Sequence, residues 1–224
     1  MTFTFWRTIG LALLWSALLL FVFVFGVWRL IRHFHKFPIP QFMANVIDNP
    51  LRRRLVHPPD EMPLRHDIRP GMKVLEVGPG NGRYTVATAR RVGETGQVVT
   101  IDIEPQMIAR VERRIAAEGV RNVDARVADV YALPFAAGTF DAAYMITVIG
   151  EIPKPVRAMR EIHRQLKSGG TLAFSEALPD PDYPLATTLI RYATAAGFRL
   201  KRRQGNFFSY TLVFEKVEEV NARG

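Results

Sequence analysis

Hydrophobic and polar positions divide the chain into three regimes. From Thr8 to Trp28 no charged side chain occurs and most positions are apolar. Between 37 and 70 the pattern breaks up, with prolines at 38, 40, 50, 58, 59, 63 and 70. From 71 onward, short apolar runs of strand type alternate with stretches of helical spacing. The runs predict strands at Val74–Val77, Gln97–Asp102, Asn122–Ala128, Thr139–Ile146 and Thr171–Ser175. Helices are expected over Tyr84–Val92, from the Glu104-Pro105 entry through Ile108, Val111 and Ile115, over Pro155–Leu166, and over Tyr183–Ala196 with Gly197 as its C-cap. Phe198–Arg203 and Phe207–Phe214 pair about Gln204-Gly205-Asn206 as a closing hairpin. Strands alternating with helices specify an α/β fold, doubly wound, whose seven-stranded sheet is mostly parallel with one antiparallel strand.

The first regime changes the picture most. At about 1.5 Å per residue, residues 8–28 reach about 30 Å, the hydrocarbon thickness of a bilayer. Trp6 and Trp28 stand near its ends, where interfacial aromatics are favoured. A cleaved signal peptide would have a shorter apolar core, a more basic start and a small-x-small site, whereas Trp28-Arg29-Leu30 follows here. An uncleaved transmembrane helix is expected, ahead of a signal peptide or a buried soluble helix. Arg29, Arg32 and Lys36 after the run, against Arg7 before it, place the N-terminus outside and the remainder in the cytoplasm. The expected organisation is an anchor with its basic flank over 1–36, a proline-rich linker over 37–70, a catalytic domain over 71–217 and a tail over 218–224. Short helical pieces are expected at 41–47 and 50–56, the second opened by Asn49-Pro50. The linker is read either as a packed connector or as an interfacial strap that also lids the site.

Charge and composition narrow the partners. Against 21 Asp+Glu stand 30 Lys+Arg, a net charge of +9. Much of the excess lies between 29 and 57, in Arg29, Arg32, Lys36, Arg52, Arg53 and Arg54. Next to an apolar span, such a belt suits anionic lipid headgroups better than nucleic acid. His33 and His35 belong to it. The chain has 0 cysteines, which excludes disulfides, thiolate metal sites and a thiol nucleophile.

Candidate chemistry begins where the first strand ends, in Glu76-Val77-Gly78-Pro79-Gly80-Asn81-Gly82. Glycines between a strand and a helix let backbone approach a ligand, and the helix N-terminus points its free N–H groups there. A dinucleotide loop needs its third glycine at 83, which is Arg83. A carboxylate beside the loop suits a cationic ligand better than a pyrophosphate. A tight turn with no ligand is the plain structural alternative.

The spacing Glu76-x-Gly78-x-Gly80-x-Gly82 resembles motif I of the class I S-adenosylmethionine (SAM) dependent methyltransferases. Asp102 ends the second strand, Asp129 to Phe135 resembles the family's D-x-x-x-L-P-F stretch, Phe140-Asp141 its F-D strand and Lys167-Ser168-Gly169-Gly170 its L-K-P-G-G turn. Ser168 departs from the usual proline. The resemblance covers residues 71–216 and implies SAM as cofactor and methyl transfer as the activity. It implies a cofactor site of Glu76, Gly78, Pro79, Gly80, Gly82, Asp102, Ile103, Asp129 and Val130. The loop would wrap the amino-acid and ribose parts, Glu76 would help hold the ammonium, Asp102 would accept from the ribose hydroxyls, and Asp129 and Val130 would meet adenine. Asp102 and Asp129 also read as ordinary capping residues. Val148-Ile149-Gly150-Glu151-Ile152 stands where relatives carry L-H-H-I or L-E-H-V; Gly150 removes one polar group, and Glu151 is left as the catalytic candidate or an exposed helix-entry residue.

Methyl transfer to an amine needs little beyond deprotonation, whereas a hydroxyl or carbon acceptor needs a base. His57 and His66 could reach the mouth of the site, while His163 reads as a surface residue. No metal site is expected. An anchor favours a lipid, quinone or other small membrane-held acceptor. A protein or RNA substrate at the membrane and a SAM-binding domain without catalysis are the alternatives, though the Asn/Asp-Pro-Pro-Tyr motif of nucleic-acid amino-methylating enzymes is absent.

Overall fold

The computed structural model describes residues 56–178, 180 and 182–217, together with 10–16, 19–20, 22–23 and 26–27. Two compact units divide the chain, Met1–Pro38 and Ile39–Gly224. In the first, the described residues are helical, and Leu11, Leu13, Leu14, Trp15, Leu19, Leu20, Val22 and Phe23 are exposed. Among the described residues no helix is long and apolar enough to cross a membrane. The span expected over 8–28 falls in part, and the basic belt almost wholly, outside the described residues, as do the helical pieces expected at 41–47 and, but for Val56, 50–56.

The second unit is built on one sheet in the order β3-β2-β1-β4-β5-β7-β6. Its strands are β1 (Lys73–Val77), β2 (Gln97–Asp102), β3 (Val123–Val127), β4 (Phe140–Ile146), β5 (Leu166–Ala177), β6 (Phe198–Gly205) and β7 (Ser209–Lys216). The first five run parallel, and β7 lies antiparallel to both β5 and β6. Central strands β1, β2 and β4 are buried nearly end to end, as continuous apolar runs covered on both faces must be.

The helices are α1 (Met62–Arg65), α2 (Arg83–Val92), α3 (Pro105–Ala117), α4 (Pro155–Gln165) and α5 (Ala186–Ala195). Met62, Ile68, Ala89 and Val92, from α1, α2 and the segment between, cover Val74, Val98, Ala142 and Tyr144 on one face. On the other, Met159 and Ile162 of α4 and Leu189 and Ala193 of α5 pack on Leu75, Val99, Met145, Phe174 and Leu212.

Of the boundaries that differ from the sequence pattern, three have a visible physical cause. Strand β5 begins at Leu166, which pairs with Phe140 before the register jumps to Ala142 and Thr171. The Lys167–Gly170 turn is therefore a bulge inside a longer strand. Helix α5 starts at Ala186 rather than Tyr183, because Tyr183 is buried and donates its hydroxyl to the Phe207 carbonyl, and Pro184 follows. Phe207 lies in the β6–β7 turn rather than in a strand, and Asn206 closes that turn by accepting from the Phe208 and Ser209 amides.

Candidate active site

Strand β1 delivers Glu76 and then the loop Gly78–Gly82, where all three glycines have positive φ: 72° at Gly78, 56° at Gly80 and 74° at Gly82. The loop is fixed from both sides. Gly78 N donates to Ile101 O at 2.9 Å, and Arg114 of α3 donates through Nε to Asn81 O at 2.6 Å. A Cβ on Gly78 would sit 2.5 Å from Val148 Cγ2, and one on Gly82 3.2 Å from the Val111 backbone. A Cβ on Gly80 would meet no protein atom within 4 Å. Two glycines thus serve packing against the chain itself, while Gly80 faces open space at the mouth of the loop. That is the cradle a ligand's approach to backbone requires.

Glu76 is 2% exposed, and its carboxylate is turned under α2, where Thr85 Oγ1 donates to Oε2 at 2.5 Å. Burial pushes its pKa up, against the opposing hydrogen bonds of Thr85 and Tyr144. The structure thus seats this carboxylate beneath the loop rather than in the open mouth. Any action on a bound ammonium would be through the loop or at longer range. Thr85 and Thr88 stand one turn apart on the buried face of α2, and Thr88 donates to the Tyr144 hydroxyl at 3.0 Å.

At the end of β2, Asp102 is half-buried and Oδ1 accepts from Glu104 N at 2.9 Å, which caps the entry to α3. Burial raises its pKa, the backbone bond from Glu104 opposing. Ile103 beside it is 66% exposed, an apolar side chain at the loop edge with no protein covering it. Asp129 after β3 is exposed, and Oδ1 accepts from Tyr131 N at 2.8 Å. Val130 is half-buried against the core, and Tyr131 in turn accepts from Lys154 N at 2.8 Å. Asp102 ends β2, and Gly78, Pro79, Gly80, Gly82, Ile103, Asp129 and Val130 follow β1, β2 or β3, so all lie on the carboxyl edge of the sheet, where ligands bind in open α/β folds.

Beyond β4, Thr147 has φ 53°, one of two described non-glycine residues at positive φ. A β-branched residue there is strained, and such strain gathers at ligand-handling turns. Its N–H donates to Ser175 O at 2.9 Å, and Val148 next to it roofs Gly78. Glu151 is half-buried in the 3-10 turn Ile149–Glu151. Gly150, the departure from the family pattern, has a physical reason: a Cβ there would collide with the Asp182 carbonyl.

Both linker histidines are buried. His57 places Nε2 3.5 Å from Ser209 Oγ and accepts Tyr84 OH on its carbonyl at 3.2 Å. His66 Nε2 is 2.8 Å from Ser175 Oγ, which is 2.8 Å from Thr211 Oγ1, and its ring lies 5.1 Å from that of Tyr144. Burial first, then the positive charges of its neighbours, lower its pKa from 6.5 to about 3. His66 is thus a neutral, weakly basic structural group. His163 is not a free surface residue: it is half-buried, its ring packs on Phe198 and Nε2 lies 3.1 Å from Val217 O. No cluster of potential metal ligands occurs among the described residues.

Thr85, Thr88, Tyr144, Thr147 and Ser175 escaped sequence reasoning. Two threonines at i, i+3 on an otherwise apolar helix face were a usable signal for the first pair. Nothing local marks Thr147.

Residues 75–174 match the family model for a methyltransferase domain. The ubiquinone/menaquinone biosynthesis C-methyltransferase of Hydrogenovibrio crunogenus is 38% identical over 110 residues, covering 49% of this chain and 43% of that protein. An arsenite methyltransferase of Halobacterium salinarum is 29% identical over 117 residues, covering 52% of this chain and 30% of that protein. The chain therefore spans less than half the length of these relatives. A SAM-dependent methyltransferase of Aquifex aeolicus superposes with a TM-score of 0.74 at 23% identity, over 80% of this chain and 100% of that one. The [4+2]-cyclase SpnF shares the fold at a TM-score of 0.63 and 22% identity, over 72% of this chain and 80% of that one. The sheet order and glycine cradle define a class I fold. Over residues 75–174 the chain is similar to methyltransferase domains, and its sheet order is that of their fold.

Proposed function

We propose that this protein transfers a methyl group from SAM to a small apolar acceptor, a lipid or quinone, held at a membrane. The observation that carries the transfer reading is the open backbone at Gly80, flanked on the same edge by the Asp102 carboxylate and the uncovered Ile103. In this reading the loop holds the amino-acid end of SAM, Asp102 takes the ribose hydroxyls, Ile103 and Val130 enclose adenine, and Asp129 accepts from its amine. Bound SAM supplies an electrophilic methyl on sulfonium. The chain's own task is to orient the acceptor in line with it and to exclude water. With His66 a weak base, Glu151 is the candidate for taking a proton or orienting an amine, with His57 behind it.

The acceptor class is supported by the charge-free run Thr8–Trp28 with its basic flank and by the similarity to a quinone C-methyltransferase. The tether would hold the catalytic domain on the cytoplasmic side, with the N-terminus outside. A second reading, a domain of this fold that does not methylate, is favoured by the fold shared with a [4+2]-cyclase. Incubation with methyl-labelled SAM and a total membrane-lipid extract, followed by mass spectrometry, decides between them. Label in a lipid-soluble product is expected; tight SAM binding with no labelled product would overturn the transfer reading.

A further inference from the structure

The turn between β6 and β7 carries two phenylalanines where hairpin turns ordinarily take glycine or short polar residues. Phe207 is 60% and Phe208 67% exposed. The turn is nonetheless firmly built. Asn206 N donates to Ser209 O at 2.8 Å, and Asn206 Oδ1 accepts from Phe208 N at 2.8 Å. The two phenylalanine carbonyls are also held, that of Phe208 by Leu178 N at 2.8 Å and that of Phe207 by the Tyr183 hydroxyl. With the backbone tied inward, both rings remain largely exposed, 5.6 Å apart and nearly perpendicular, the Phe207 ring resting edge-on against Tyr183 at 6.3 Å.

The strand leading to this tip is basic. Between Phe198 and Ser209 stand Arg199, Lys201, Arg202 and Arg203, with no acidic residue. Arg199, Lys201 and Arg203 are exposed. Acids elsewhere meet some of this charge at the surface: Glu215 pairs with Arg199, and Asp67 with Lys201 and Arg202. Ser209 pairs with Ala177, which puts the tip at the carboxyl end of β5, on the same sheet edge as the glycine loop.

We propose that the β6–β7 tip is a second membrane contact: Phe207 and Phe208 enter the interface of an anionic bilayer while Arg203 and Lys201 lie among the headgroups. Aromatic rings favour that depth and cations favour that surface. The charge of β6 suits an anionic surface rather than a neutral apolar partner, and the charge-free run Thr8–Trp28 of the same chain argues that this surface is a bilayer. This contact rests on the membrane-held acceptor proposed above and adds an orientation to it: the cofactor edge of the sheet would face the lipid from which the acceptor comes.

The chain has 0 cysteines, so Phe208→Cys in the full-length protein gives a unique site for an environment-sensitive fluorophore. Ser168→Cys, exposed in the bulge at the opposite end of β5, is the aqueous control. With vesicles of phosphatidylcholine and phosphatidylglycerol, the label at 208 should shift to the blue and be reduced by dithionite about tenfold more slowly than the label at 168. The shift should shrink on phosphatidylcholine alone. Co-flotation with vesicles, measured on the same samples, reports tethering separately. Co-flotation with both labels equally open to dithionite overturns the tip contact and leaves the tether standing. Absence of co-flotation overturns both. A blue shift that appears without vesicles and grows with protein concentration assigns the tip to a second copy of the chain and overturns the lipid contact.

Discussion

The hydroxyl of Thr85 donates to the carboxylate of Glu76 at 2.5 Å, joining the strand that enters the glycine loop to the helix that leaves it. Both groups are buried, so the bond is made away from competing water. Thr85→Val keeps the shape and removes the donor, leaving a buried carboxyl short of a partner. A loss of about 1–3 kcal/mol in folding stability is expected. SAM affinity should fall with it, because the bond ties together the two elements that flank the loop. Thr85→Ser should restore both. Urea denaturation and titration calorimetry on the three proteins check this; unchanged stability in Thr85→Val would remove the bond's structural role.

Gly80 and Gly78 separate ligand approach from packing. At Gly80 a methyl meets no protein atom, so Gly80→Ala carries only the strain of φ 56°, about 1–2 kcal/mol. Its SAM affinity should fall more than tenfold, about 1.4 kcal/mol or more, because the methyl stands where ligand must approach. Gly78→Ala meets Val148 and should lose stability first. Calorimetry giving normal SAM affinity for a folded Gly80→Ala protein would show that the loop is not the site.

His66 predicts a specific response to acid. Its folded pKa, about 3, lies below its ordinary 6.5. Above pH 6.5 the group is neutral in both states and adds no pH dependence. As pH falls from 6.5 towards 3, the unfolded chain takes up a proton that the folded chain refuses, and stability declines by up to about 1.4 kcal/mol per pH unit. Glu76, shifted upward, works in the opposite sense above its ordinary value near 4.5, so the two slopes partly oppose each other where they overlap. His66→Gln removes the histidine slope alone. The difference in stability between wild type and His66→Gln should therefore shrink or reverse between pH 7 and pH 4, measured by urea denaturation at each pH. A constant difference would refute a protonation cost at His66.

The sheet was legible because its central strands are buried on both faces and appear as unbroken apolar runs: β2 is observed at the expected Gln97–Asp102, and β1 and β4 differ by one residue at their starts. The glycine loop was legible because spacing alone exposes it. What stayed hidden depends on contacts between segments far apart in the chain. The sequence pattern ended the α4 helix at Leu166, which instead pairs with Phe140 and extends β5. Tyr183 read as helical until its hydroxyl met the Phe207 carbonyl. The glycine at 150 looked like the loss of a polar group, and only the Asp182 carbonyl packed against it explains the choice. The inward turn of Glu76 and the strained φ of Thr147 likewise have no local signal.

If the acceptor lies in a bilayer, the N-terminal segment should matter for turnover and not for cofactor binding. The reason is separation: the charge-free run ends at Trp28, every candidate SAM residue stands at Glu76 or beyond, and Ile39–Gly224 forms a compact unit by itself. Deleting residues 1–36 should leave SAM affinity unchanged. On acceptor presented in vesicles, the truncated protein should lose about 10²-fold or more in rate, because tethering raises the local concentration of enzyme at the surface. Neutralising Arg52, Arg53 and Arg54 together should cause a smaller loss, about 1 kcal/mol of surface attraction for each charge near anionic lipid and less on zwitterionic vesicles. The deciding measurement is initial rate on vesicles, full-length against truncated, at equal SAM occupancy. Equal rates would move the acceptor into solution and leave the apolar run as an address.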